Sequence, residues 1–130
     1  MTAHVLGGPA TDRLLDVARR AKPGEVFTLE ELDAFPWDEV TLFGDGSELA
    51  AINRLVGREL FEADGRLWGQ GGLLVFRLDG KVVHATMVPP PLRVLAVDGH
   101  WYRRSTSVAV ASRAGTPPWL LLRDGREDAP

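Results

Sequence analysis

The sequence predicts an α+β domain in which an antiparallel sheet of about five to seven strands carries two or three helices packed on one face. Three observations point there. The first half holds segments with helix start and stop signals, at Thr11 to Lys22, Thr28 to Ala34 and Ser47 to Gly57. The second half changes to β-branched and aromatic runs punctuated by Asp64-Gly65, Asp79-Gly80, Asp98-Gly99 and Asp124-Gly125, and Asp-Gly is a strong hairpin signal. The chain has 130 residues of which 45% are hydrophobic, enough for one domain to bury a core.

Taken in order, Thr11 can cap a helix that places Leu14, Leu15 and Ala18 on one face, and Pro23-Gly24 stops it. In "FTLEELDAF", Thr28 and Glu31 stand at capping-box spacing and Phe27 and Leu32 at staple spacing, so a short helix from Leu29 to about Ala34 is expected before Pro36. "DEVTLF" alternates, Val40 and Leu42 to one side and Thr41 and Phe43 to the other, as a strand does. Ser47 then caps a helix from Glu48 to Val56 with Leu49, Ile52, Leu55 and Val56 as its apolar stripe, and Gly57 supplies a left-handed end.

Around Asp79-Gly80 a two-residue hairpin would set Leu78 opposite Lys81, Phe76 opposite Val83 and Leu74 opposite Ala85. One face is then apolar, and the other carries Arg77, His84 and Thr86. Pro89 to Pro91 must end that strand. "LRVLAVDGHWYRR" reads as a second hairpin, and "SVAVAS" with "PWLLLR" as a third pair. Residues 1–123 are expected to form the single α+β domain and 124–130 a frayed tail.

With no cysteine, disulfides, thiolate metal sites and cysteine nucleophiles are excluded. No basic leader precedes an apolar run and no apolar run reaches the ~18 residues of a membrane span, so no membrane is involved and a cytoplasmic location is expected. The formal net charge of −3 gives no global pull on nucleic acid. Its distribution is lopsided. Glu25 to Ala50 holds Glu25, Glu30, Glu31, Asp33, Asp38, Glu39, Asp45 and Glu48 without Lys or Arg. Trp101 to Arg126 holds Arg103, Arg104, Arg113, Arg123 and Arg126 against Asp124 alone.

No catalytic constellation stands out. Ser47, Ser105, Ser107, His84, His100, Asp38 and Glu39 supply residue types without a nucleophile elbow, and adjacent Asp38 and Glu39 point to opposite sides of a strand. His4, His84 and His100 lack ligand spacing, "GDGSE" is no calcium loop, and no metal or cofactor is expected. The turn at Gly44 to Ser47 opens a helix and could cradle an anion, but Asp45 and Glu48 already supply negative charge there. Trp101 and Tyr102 beside Arg103 and Arg104 form an aromatic-arginine cluster suited to contact with a partner. The expectation is a non-catalytic protein-binding or inhibitor-like module, with a winged-helix-type DNA-binding regulator or a small enzyme as the alternatives. Its partner is another protein, met through Asp38, Asp45 and Glu48 or through Trp101, Tyr102, Arg103 and Arg104; a homodimer stays open.

"PWDEVTLFG", a helix ending at Gly57, and "GLLVFRLDGKVVHATMVP" together resemble a family of small, mostly uncharacterised bacterial proteins sharing Trp-Asp-x-Val-x-x-Phe-Gly and a late strand pair. Trp37, Asp38, Val40, Phe43, Gly44, Val75, Phe76, Gly80, Lys81, Val82 and Val83 match, over residues 27–88. The family carries no established activity. Its members often look exported, but the signal and lipobox cysteine are missing here and "GDG" replaces Gly-Pro-Tyr, so neither location nor any tyrosine role carries over. The order of elements over residues 11–68 also resembles winged-helix DNA-binding domains. That likeness implies Glu48 to Val56 as recognition helix, with Asn53 and Arg54 as contacts, in an acidic stretch poorly suited to phosphates.

Overall fold

A computed structural model describes residues 24, 26–32, 35–61, 65–67, 72–88, 93–97, 99–111 and 119–123, together with Asp12, Arg13 and Asp16. These residues form two four-stranded sheets packed face to face, with one α-helix on the outside of the first. The strands are β1 (Val26–Thr28), β2 (Glu39–Phe43), β3 (Leu73–Leu78), β4 (Lys81–Met87), β5 (Arg93–Leu95), β6 (Tyr102–Arg103), β7 (Ser107–Ala111) and β8 (Trp119–Arg123); the helix α1 is Leu49–Val56. The first sheet runs β4-β3-β2-β6 and is antiparallel throughout. The second runs β1-β7-β8-β5, antiparallel except for β5 beside β8.

This corrects the single sheet roofed by two or three helices. Among the described residues only Leu49–Val56 forms a continuous α-helix, and the expected helix after Thr28 is a single 3-10 turn, Leu29–Glu31. The competing force is strand pairing. Phe27 lies in β1 opposite Val108, and the Leu29 N–H donates to the Thr106 carbonyl at 3.0 Å, so the chain leaves the strand too late for a full helix. The Thr28 side chain makes no cap bond. The helix expected from Thr11 to Lys22 falls mostly outside the described residues; Asp12, Arg13 and Asp16 are helical.

Apolar residues occupy both faces of β2 and β3, and a sheet greasy on both sides needs two covers. Val40, Leu42, Leu74 and Phe76 meet Val94, Val108, Val110, Leu120 and Leu122 of the second sheet. Phe43, Leu73, Val75 and Ala85 meet Ile52 and Val56 of α1 with Leu60 and Leu67. Between the sheets, the void lined by Phe27, Leu29, Val40, Leu74, Val108 and Leu120 is about 10 Å³, room for no more than one water molecule.

Asp79 (φ 52) and Gly80 (φ 79) close β3 and β4 in the two-residue turn whose both central residues need positive φ. Leu78 faces Lys81 as expected, but a bulge between Phe76 and Arg77 then shifts the pairing. Phe76 faces His84 and Leu74 faces Thr86, in place of Val83 and Ala85. The bulge sends small Ala85 (0% exposed) beneath the helix and brings His84 beside Phe35 and Phe76, at ring separations of 5.0 and 6.2 Å. "SVAVAS" and "PWLLLR" pair as β7 and β8. "LRVLAVDGHWYRR" is not a hairpin: β5 and β6 enter different sheets, and between them the Gly99 N–H donates to Leu42 and the Val97 N–H to the Tyr102 hydroxyl. Among the described residues, no helix is long and apolar enough to cross a membrane. The tail 124–130 lies outside them.

Candidate functional site

β6 pairs with the start of β2, Glu39 opposite Arg103 and Val40 opposite Tyr102. That pairing draws the acidic first half and the arginine-rich second half together. Glu30, Asp38, Glu39, Arg103, Arg104 and Ser105 line one open groove of about 490 Å³. Two backbone features fix its walls: the Asp38 N–H donates to the Arg77 carbonyl at 2.9 Å, and the Thr106 N–H closes a turn on the Arg103 carbonyl at 3.0 Å.

Most charges in and around the groove are already engaged. Glu39 Oε1 accepts from Arg77 Nε at 2.9 Å and Nη2 at 2.8 Å, and the Arg77 guanidinium lies 3.8 Å from the centre of the Trp101 ring. The pair is a quarter to a third exposed, so its direct contribution is about 0.2–1 kcal/mol, and its larger effect is to hold Glu39 and the Trp101 ring in place. Arg104 donates to the carbonyls of Trp37 at 3.3 Å and Glu30 at 3.5 Å, and lies 5.1 Å from the Trp37 ring, whose indole N–H donates to the Leu32 carbonyl. Asp38 Oδ2 accepts from the Asp79 N–H at 3.1 Å, while its buried Oδ1 has no donor. Arg103 and Glu30 are exposed, and neither side chain forms an ion pair with a described residue.

The predicted site residues divide accordingly. Asp38, Arg103 and Arg104 meet in the groove. Asp45 and Glu48 lie past the other end of β2, beyond four residue steps of about 3.3 Å each, and Glu48 pairs with Arg66 at 3.5 Å. The acidic stretch is therefore two separate surfaces. Trp101 is partly buried against the helix-side core. Tyr102 is 1% exposed and offers a partner no surface; its ring packs on His100 at 4.6 Å. Glu30, Glu39, Arg77 and Ser105 join or support the groove without being among the expected partner-binding residues. Only the β2 register with β3 and β6 reveals them, and no local spacing encodes it.

The Gly44 to Ser47 turn does begin a helix, but Glu48 rather than Ser47 is its cap residue and no side chain caps it. Ser47 instead donates its hydroxyl to the Gly44 carbonyl at 2.7 Å. The amides of Gly46, Ser47 and Leu49 donate to the carbonyls of Leu67, Gly44 and Gly65, so an anion would find those donors occupied. Gly57 ends α1 at φ 72, the left-handed end expected. Asn53, a candidate base contact, is committed internally: its Oδ1 accepts from Leu60 and Phe61 N–H groups at 2.7 and 3.1 Å, and its Nδ2 donates to the Phe61 carbonyl at 2.9 Å. Among the described residues, no three His, Asp or Glu side chains gather as metal ligands would. Comparison of the chain with known protein families, with curated proteins and with solved structures finds no match.

Proposed function

We propose that this domain is a non-catalytic protein-binding module whose partner docks on the groove between the 3-10 turn, β2 and β6. The observation that carries the reading is the convergence of Glu30 of the 3-10 turn, Asp38 just before β2 and Arg103 of β6 on one groove, beside a fixed aromatic-arginine stack. Fixed neighbours around a few free charges lower the ordering cost of association, and mixed charge selects among partners. Among the described residues Ser105 shares the groove with no histidine, since His84 packs on Phe35 and Phe76 and His100 on Tyr102.

The test is affinity capture from native lysate with the wild type and with Arg103→Glu and Glu30→Arg. The wild type should retain a protein that either reversal releases, and whose retention falls steeply as salt is raised, because groove charges are screened over ~10 Å at 0.1 M. Retention of the same proteins by the reversed variants, or of duplex DNA or a small metabolite in their place, would overturn the proposal.

A further inference from the structure

We infer that the segment docking in this groove is dipolar: an extended stretch of the partner that offers a Lys or Arg side chain to Asp38 and Glu30 and, two residues away, a carboxylate to Arg103. This rests on the protein-binding reading. Two unmet demands motivate it. Glu30 is exposed and Asp38 lines the same groove, and neither carboxylate pairs with a basic side chain of a described residue, so an incoming cation meets both. Arg103 is exposed, and the carboxylate directly across from it, Glu39, is already held by Arg77, so its guanidinium fork is open to a carboxylate from outside.

The spacing suits one peptide. Asp38 precedes Glu39, and Glu39 faces Arg103 across the strand pair, so Asp38 and Arg103 stand roughly 5–8 Å apart at the backbone. Side chains two apart in an extended chain are separated by about 6.6 Å. Repulsion sharpens the choice. A purely basic segment would meet Arg103 and Arg104, and a purely acidic one would meet Glu30, Asp38 and Glu39. Arg104 cannot serve as the carboxylate receptor, being tied to two carbonyls and the Trp37 ring.

Short capped peptides test this by amide-shift titration: one with Lys and Glu two residues apart, in both orders, one with two Lys, and one with two Glu. A mixed peptide should bind about tenfold or more tighter than either single-sign peptide, a difference of about 1.4 kcal/mol, and should shift Asp38, Glu39, Arg103 and Ser105. Arg103→Glu should lose the mixed peptide and gain the Lys-only one, a gain that simple misfolding would not produce. Equal binding of a single-sign peptide, or no shift from either mixed peptide at millimolar concentration, overturns the inference. If peptides fail to discriminate while Arg103→Glu still releases the lysate partner, the protein-binding reading stands and the dipolar one falls. If a mixed peptide binds as described while lysate capture ignores the reversal, the groove's preference stands and the partner docks elsewhere.

Discussion

At the scale of single residues, the chain's glycines separate by what surrounds them. Gly72 sits at φ 96, and a Cβ there would lie 2.7 Å from the Phe43 carbonyl oxygen, a backbone atom that cannot step aside. Gly80 has φ 79 with nothing within 4 Å. Gly72→Ala should therefore cost more than about 3 kcal/mol in urea unfolding, from strain plus clash, and Gly80→Ala about 1 kcal/mol from backbone strain alone. Equal costs would mean that the approach of β3 to Phe43 is looser than described. Residue identity marked Gly80 in advance through Asp-Gly, but nothing local marked Gly72, because its constraint comes from a strand remote in sequence. Asn53 shows the same limit: from position alone it is a polar helix residue, and only the return of the chain after Gly57 turns it into a clamp for Leu60 and Phe61.

At the scale of elements, periodicity identified the strands at 39–43 and 73–87 and the helix at 49–56, since alternation and the 3.6-residue stripe are local properties. Register beyond the Asp79-Gly80 turn was not local. A continuous hairpin would put His84 opposite Val75, against the helix-side core; the bulge instead puts Ala85 there and leaves Val83 45% exposed. Deleting Val83 should leave the Leu78–Lys81 and Phe76–His84 pairs in place, seen as cross-strand NMR contacts, and change stability by no more than about 1 kcal/mol. A loss as large as a core truncation would show that Val83 is more than the extra residue of the bulge. The 3-10 turn at Leu29–Glu31 teaches a similar lesson, for capping-box spacing was overridden by pairing of β1 with β7.

At the scale of the whole molecule, the two sheets share one interior built from early and late residues, Val40 and Phe76 against Val108 and Leu120. Leu120→Ala should cost about 2–5 kcal/mol in chemical unfolding because it opens a cavity at a 2% exposed position, whereas Leu55→Ala, 58% exposed on α1, should fall within about 0.5 kcal/mol. Similar costs would contradict a core between the sheets. The hint of this sandwich was the unbroken apolar run "LLVF", which fits a strand buried on both faces; reading it as half-buried led to a single sheet. The charge asymmetry was visible in composition, but the groove was not, since Asp38 and Arg103 meet only through the pairing of β2 with β6. The most direct test of the central claim is amide hydrogen exchange on the domain with its captured partner bound. Added protection should concentrate at Glu30, Asp38, Glu39 and residues 103–105. Protection confined to α1 and the turn at Asp45, or none at all, would contradict a partner held in this groove.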